Sequence, residues 1–262
     1  MPKPKVSLPF HNSTFTIHNS RLLPIYQPQQ PIESVDFRAG AVLLIDKPKD
    51  WTSFDVVNKV RGALRARLGV KKIKVGHAGT LDPMATGLLI VCTGKMTKRI
   101  DELQGLPKAY TGTMTMGATT PSMDAETEKD GDYPTAHLTP QLLDTAKAQF
   151  VGQINQLPPM YSAVKVKGQR LYKAARAGKV VEREARQVTI YDFDLVRVDL
   201  PEVDFFVRCS KGTYIRALAH DLGQAAGSGA YLSALRRTAI GEHELTNAWH
   251  LPDLITQLDS RG

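Results

Sequence analysis

Stretches with the two-residue alternation of a strand and stretches with helical spacing follow one another irregularly along this chain. That irregular order restricts the fold more than any single motif does. A short apolar run, AVLLIDKP, opens at Ala41 and is stopped by proline. Thr52 or Ser53 is placed to cap a helix that runs to about Leu68, with Gly69 closing it. A glycine-rich loop leads into the strand-like GLLIVCTG, then a turn and a helix through KMTKRIDELQ. KAYTGTMTMGATT alternates as a strand with one wet face, and TPQLLDTAKAQFV has a Thr cap, a proline at the first helical position and helical spacing. A Pro-Pro break and a Lys-Gly turn precede a short helix around Leu171 to Ala177. VTIYDFDLVRVDL and EVDFFVRCSKG read as a strand pair joined near Pro201. TYIRALAHDLGQAAG reads as a helix, YLSALRRTAIGEHEL as a strand and AWHLPDLITQL as a closing helix. Strict strand–helix alternation would give a parallel, doubly wound sheet. This order instead predicts an α+β fold, a mixed, mainly antiparallel sheet flanked by helices.

The Pro-rich residues 1–40, with PIYQPQQPIES, read as an extended N-terminal arm, and 41–262 as one folded domain. No run approaches the length of a membrane-spanning helix, and MPKPKVSLPFHNSTF lacks the apolar core of a signal peptide. Cys92 and Cys209 each sit in an apolar run and read as buried free thiols, which suits a reducing, cytoplasmic location. The net charge is +8, which favours a polyanionic partner. Most of it lies in residues 157–187, where Lys165, Lys167, Arg170, Lys173, Arg176, Lys179, Arg183 and Arg186 face only Glu182 and Glu184. Tyr161 and Tyr172 are interleaved with them, a composition that points to nucleic acid.

Several reaction classes drop out. CTGKMTK lacks the glycine five residues before its Gly-Lys pair and has Met96 where a phosphate loop needs Ser or Thr. No Cys-x-x-Cys, His-x-x-x-His or dense acid cluster suggests a metal, and no Gly-x-Ser-x-Gly elbow is present. What remains is KVGHAGTLDPMATGLLIVCTG, where Asp82 sits in a glycine-rich turn just before an apolar strand. On its own, Asp82 is either a turn former before Pro83 or a reactive carboxylate held by a rigid loop.

GHAGTLDPMATGLLIVCTG closely resembles the signature of the TruB family of tRNA pseudouridine synthases. LLIDKPKDWTSFDVVNKVR, KAYTGTMTMGATTPSMDAE, the LPPMYSAVKVKGQRLYKAARAGK segment, CSKGTYIRALAHDLG and LSALRRTAIG resemble further motifs of that family, in order, over about residues 41 to 245. The resemblance implies isomerisation of uridine-55 in the T loop of tRNA to pseudouridine. The N1 glycosidic bond breaks, the uracil turns, and C5 joins C1′. It implies no cofactor, no metal, no obligate protein partner and no membrane, with the T-arm stem-loop of tRNA bound by a monomer.

By the same resemblance, Asp82 is the essential nucleophile, Arg216 the cation paired with it, and Tyr110 the residue that stacks on the base and handles a proton. Tyr214 and Leu235 correspond to the pocket wall, and His77 to the residue that meets the T loop. Residues 157–187 correspond to a mobile, RNA-gripping insertion carrying Lys165, Lys167 and Arg170. Lys211, beside Gly212, adds a phosphate contact. The C-terminal PUA-type domain of many relatives has no counterpart motif here, so recognition is expected to be mostly local.

Overall fold

The computed structural model describes residues 23–162, 165–166, 169–178 and 181–259; the side chains of Lys165, Val166, Gln169, Arg170, Lys173 and Arg176 lie outside that description. In chain order, β1 (Ile25–Tyr26) and β2 (Val42–Lys47) precede α1 (Ser53–Leu68), β3 (Val75–Ala78) and β4 (Thr86–Thr93). A 3-10 turn, Gly94–Arg99, leads into α2 (Ile100–Gly105), followed by β5 (Lys108–Met116), β6 (Ala118–Thr119), β7 (Gly131–Asp132), α3 (Pro140–Ala148) and β8 (Gly152–Gln156). The hairpin of β9 (Lys165–Val166) and β10 (Gln169–Arg170) runs into α4 (Leu171–Arg176). The chain then forms β11 (Arg186–Asp199), β12 (Glu202–Cys209), α5 (Ile215–Ala225), β13 (Ala230–Ile240), β14 (His243–Glu244), β15 (Trp249–His250) and α6 (Leu251–Asp259).

One large sheet in the order β1-β2-β4-β13-β5-β12-β11-β8 organises these elements, with β3, β14 and β15 attached beside it. Its pairs are antiparallel except β1–β2, β4–β13 and β15–β2, so the expected mixed, mainly antiparallel α+β architecture is the one observed. Among the described residues no helix is long and apolar enough to cross a membrane.

Local chemistry explains the helix ends. Thr52 accepts a hydrogen bond from the Asp55 amide while Asp55 accepts one from Thr52, a reciprocal capping box, and Gly69 ends α1 in the left-handed conformation. Thr139 caps α3 with Pro140 at its first position. α5 buries Ile215, Leu218, Ala219 and Leu222 against the β5, β12 and β13 side of the sheet. Each large aliphatic side chain there contributes about 1.5–3 kcal/mol by leaving water. α1 and α6 cover β2 and β4 through Val56, Val60, Leu64, Leu254 and Leu258.

One expectation needs correction. Residues 23–40 are not a free arm: β1 pairs with β2, and Tyr26, Ile32 and Phe37 are buried in the core of α1 and α6. Trp249 donates its indole N–H to the Tyr26 carbonyl at 3.0 Å and packs on the Tyr26 ring. The spaced apolar residues of this Pro-rich stretch find a hydrophobic partner, which outweighs its open composition. Residues 1–22 lie outside the described residues. β5 runs between β13 and β12 with the alternation expected: Tyr110, Met114 and Met116 are buried in the core, while Thr111, Thr113 and Thr115 on the other face stay partly accessible, Thr113 donating to Asp204 at 2.7 Å.

Cys92 and Cys209 are free and buried. Burial pushes their thiols up to about 12 and about 11 respectively. Because the thiolate is the reactive form, both are expected to resist a disulfide reagent at neutral pH in the native protein and to react together after unfolding. Rapid labelling of either thiol in the folded chain would contradict this placement.

Candidate active site

The strand order places the glycine-rich loop at the middle of the sheet. β4 and β13 meet in parallel, with Gly87 opposite Arg237. A Cβ on Gly87 would come within 2.3 Å of the Arg237 carbonyl oxygen, so only glycine permits this approach. Just ahead of it, residues 79–85 turn from β3 into β4. Ser53, at the start of α1, grips that turn: the Leu81 amide donates to its hydroxyl at 2.9 Å, and the hydroxyl faces the Leu81 carbonyl at 3.3 Å. Lys47, fully buried, donates from Nζ to the carbonyls of Pro48, Trp51 and Pro83 at 2.9, 2.6 and 3.3 Å. Burial pulls the Lys47 ammonium down to about 8, against the attraction of Asp82. The loop is thus tied on both sides of Asp82, which makes its carboxylate a fixed group.

Asp82 meets Arg216, the second residue of α5, with Nε to Oδ2 at 2.9 Å. Arg216 is almost fully buried, and every edge of its guanidinium is used. Nη1 lies 3.3 Å from Asp124 Oδ2 and donates to the Ser122 carbonyl at 3.1 Å, while Nη2 donates to the Tyr161 carbonyl at 2.8 Å. Asp124 is completely buried; its Oδ1 accepts from the Ser122 hydroxyl at 2.6 Å and the Glu126 amide at 3.0 Å. Two carboxylates therefore share one guanidinium.

Asp82 keeps 38% of its side-chain surface accessible and lines an open cavity of about 910 Å³. Enclosure raises its pKa above the ordinary carboxylate value; Arg216 opposes the rise, Asp124 adds to it and Lys47 opposes it. The arrangement holds a poorly solvated carboxylate against a cation, aimed at whatever occupies the cavity.

Tyr110 on β5 lines the same cavity, as do Leu235 on β13, Tyr214 at the N-cap of α5, and Lys211. Burial raises the Tyr110 hydroxyl pKa, with Arg237 the main opposing charge, so it stays protonated at neutral pH. Gln156 at the end of β8 clamps Tyr214 from both sides: its Oε1 accepts from the Tyr214 amide at 2.8 Å, and its Nε2 donates to the Tyr214 carbonyl at 3.0 Å. Tyr161, Ser162, Tyr172 and Arg186 bring the basic insertion to the cavity wall.

Of the site residues expected from sequence, Asp82, Tyr110, Arg216, Tyr214, Leu235 and Lys211 converge on one cavity. His77 does not line it. It lies on β3 opposite Val91, where burial lowers its pKa. Lys165 and Arg170 sit opposite each other in the β9–β10 hairpin, described by backbone alone, and Lys167 lies outside the described residues.

Four charged groups, Lys47 among them, were not singled out from sequence. Besides Asp124, Arg237 donates to the carbonyls of Leu88 and Gly79 at 2.7 and 3.0 Å, fixing the Asp82 loop to β4. Lys108 lines the cavity with its ammonium pulled down to about 8 by burial. The adjacent motifs PSMDAE and LSALRRTAIG contain Asp124 and Arg237, but only contacts across the sheet distinguish them from neighbouring charges. Among the described residues, no group of three or more His, Cys, Asp or Glu is gathered as a metal would need.

Comparison with known proteins agrees with this geometry. A family model described as TruB family pseudouridylate synthase (N terminal domain) matches residues 65–215. A second, described as tRNA pseudouridylate synthase B C-terminal domain, matches 216–260. The chain is 55% identical to the tRNA pseudouridine synthase B of Flavobacterium johnsoniae over 81% of its own length and 93% of that protein's. It is 51% identical to the protein of the same name from Phocaeicola vulgatus over 87% and 97%. Among solved structures it is similar to a chain in a Cbf5-Nop10-Gar1 complex, with a TM-score of 0.64 and 30% identity, covering 88% of this chain and 58% of that one.

Proposed function

Given that the chain belongs to the TruB family of pseudouridylate synthases and converts uridine to pseudouridine in tRNA, we propose that it acts on uridine-55 of the T loop with Asp82 as nucleophile. The observation that carries this reading is the Asp82–Arg216 pair at 2.9 Å, opening into a cavity walled by Tyr110, Tyr214 and Leu235. A uridine inside a stem-loop is out of reach of a recessed carboxylate, so the nucleotide must be flipped into the cavity. Tyr110 offers the flipped uracil a ring to stack on, and Leu235 an apolar floor. Asp82 faces the sugar. The N1–C1′ bond breaks, the base turns, C5 bonds to C1′, and the hydrogen on C5 leaves as a proton while N1 gains one. Nothing is oxidised or reduced, so these residues require no redox partner.

The basic insertion, residues 157–187, closes on the RNA in this reading, and Lys165, Lys167, Arg170 and Lys211 meet phosphates. The enzyme works alone and as a monomer, in the cytoplasm. The test is to incubate the purified protein with an isolated T-arm stem-loop and digest the product to nucleosides. One pseudouridine per stem-loop, lost when uridine-55 is replaced by cytidine, is expected; no product on the stem-loop and the intact tRNA alike would sink the reading.

A pH dependence follows. Asp82 acts as the ionised form, and its pKa is raised in the folded protein, chiefly by burial. Turnover is therefore expected to fall on the acid side with a midpoint above the ordinary aspartate value of about 3.9. An acid limb at or below that value, in protein shown to be folded there, would contradict the placement of Asp82.

A further inference from the structure

A second basic surface lies away from the insertion. Three chain segments meet at the end of the β3–β4 hairpin opposite the Asp82 loop. The Gly94 amide donates to the Lys74 carbonyl at 2.9 Å, and the Lys95 amide to the Ala39 carbonyl at 3.3 Å. Gly94 has φ +52 and packs so close to Arg38 that a Cβ would fall 2.3 Å from the Arg38 carbonyl oxygen. Arg38 in turn donates to the Leu68 carbonyl at the end of α1, at 3.1 Å. This knot of backbone contacts gathers Arg38, Lys71, Lys72, Lys74, Lys95 and Lys98, all exposed. Among the described residues none of the six makes an ion pair.

The acids nearby neutralise the surface only in part. Asp36, exposed at the surface, accepts from the amides of Arg38 and Ala39, both at 2.9 Å, and its charge offsets part of that of Arg38 and Lys95. Glu33 is paired with Arg67, and Glu102 with Arg99. Asp101 lies beyond, on the cavity wall. Holding six like charges on one rigid corner is unfavourable without an anionic partner, and their fixed backbone suits repeated contacts to a phosphate chain.

We propose that Arg38, Lys71, Lys72, Lys74, Lys95 and Lys98 form a second phosphate-binding surface, which holds substrate tRNA outside the stem-loop whose base enters the cavity. This rests on the tRNA reading above. The path between the two sites is short: from Lys74 along β3 to Gly79, where the cavity begins, is about 17 Å at the rise of a strand. The 3-10 turn carrying Lys95 and Lys98 runs directly into α2, whose Gln104 and Gly105 line the cavity. One RNA can lie against both.

The test compares wild type with the triple variant Lys71→Glu, Lys72→Glu, Lys74→Glu and with the milder pair Lys95→Gln, Lys98→Gln. Binding and turnover are measured on an intact tRNA transcript and on an isolated T-arm stem-loop. Affinity of the triple variant for intact tRNA is expected to fall at least about tenfold, with a shallower salt dependence as phosphate contacts are lost. The pair should shift it in the same direction, and stem-loop binding and turnover should stay at wild-type level. Equal weakening on both RNAs, or no change on either, would overturn the proposal. So would loss of affinity for anionic vesicles with tRNA binding intact. Binding is read without turnover, so wild-type protein that needs these lysines to hold tRNA yet isomerises nothing would sink the function and leave the surface standing.

Discussion

Asp82→Asn is expected to abolish turnover, by on the order of 10⁴-fold or more, while folding and RNA binding survive. Asn is nearly isosteric and still offers an oxygen to Arg216 Nε, now 2.9 Å from Asp82 Oδ2. It cannot act as a nucleophile. Stability should not suffer, and the sign follows from linkage. A carboxylate whose pKa is raised by folding favours the folded state while protonated, and that contribution is lost as pH rises through its folded value. Asp82 is such a group, so at neutral pH its charge costs stability, and a neutral amide removes the cost. It also leaves Arg216 with one carboxylate, Asp124, instead of two. The melting temperature of the variant at neutral pH should match or exceed that of wild type. Parallel loss of binding, folding and turnover would identify Asp82 as a structural turn residue.

Arg216→Lys carries the second largest effect. The substitution keeps the charge and discards the fork. The guanidinium serves Asp82, Asp124, Ser122 and Tyr161 at once, across 2.8–3.3 Å, and a single ammonium cannot reach all four. Each buried acceptor left without a donor costs about 1–3 kcal/mol, so a clear drop in melting temperature is expected. Turnover should fall about 10²–10³-fold as the Asp82 carboxylate loses its fixed partner. Asp124→Asn should shift both readouts in the same direction by less, because the amide still accepts from the Ser122 hydroxyl. Wild-type turnover in Arg216→Lys would show that a point charge suffices and would contradict the role given to the fork.

Most of the element order could be read from the chain because local signals agreed with one another. Thr52 with Gly69 and the apolar run of β4 each bracket an element whose ends the structure places within a residue or two, and Thr139 with Pro140 marks the start of α3. The failure arose where tertiary partners decide. Nothing local distinguishes a Pro-rich linker from one whose Tyr26 and Phe37 rest on Trp249 and its neighbours.

The site divides in the same way. Asp82 and Arg216 stand out through the motifs that contain them. Asp124, Arg237 and the two lysines Lys47 and Lys108 matter because folding buries them against particular carbonyls and charges. A charged residue in a sequence is normally a solvated one, and its burial becomes visible only with the fold. His77, expected to meet the T loop, lies on β3 opposite Val91 and is not among the residues that line the cavity.

The central claim is that Asp82 acts on a uridine whose C5 becomes bonded to the sugar. Tritium release from tRNA transcripts labelled at uridine C5 tests it most directly, because forming that bond must expel the hydrogen. Wild-type protein should release one equivalent per tRNA, Asp82→Asn none, and wild type none when position 55 is cytidine. Release by Asp82→Asn at the wild-type rate, or silence from a wild-type protein that binds the tRNA, would contradict it.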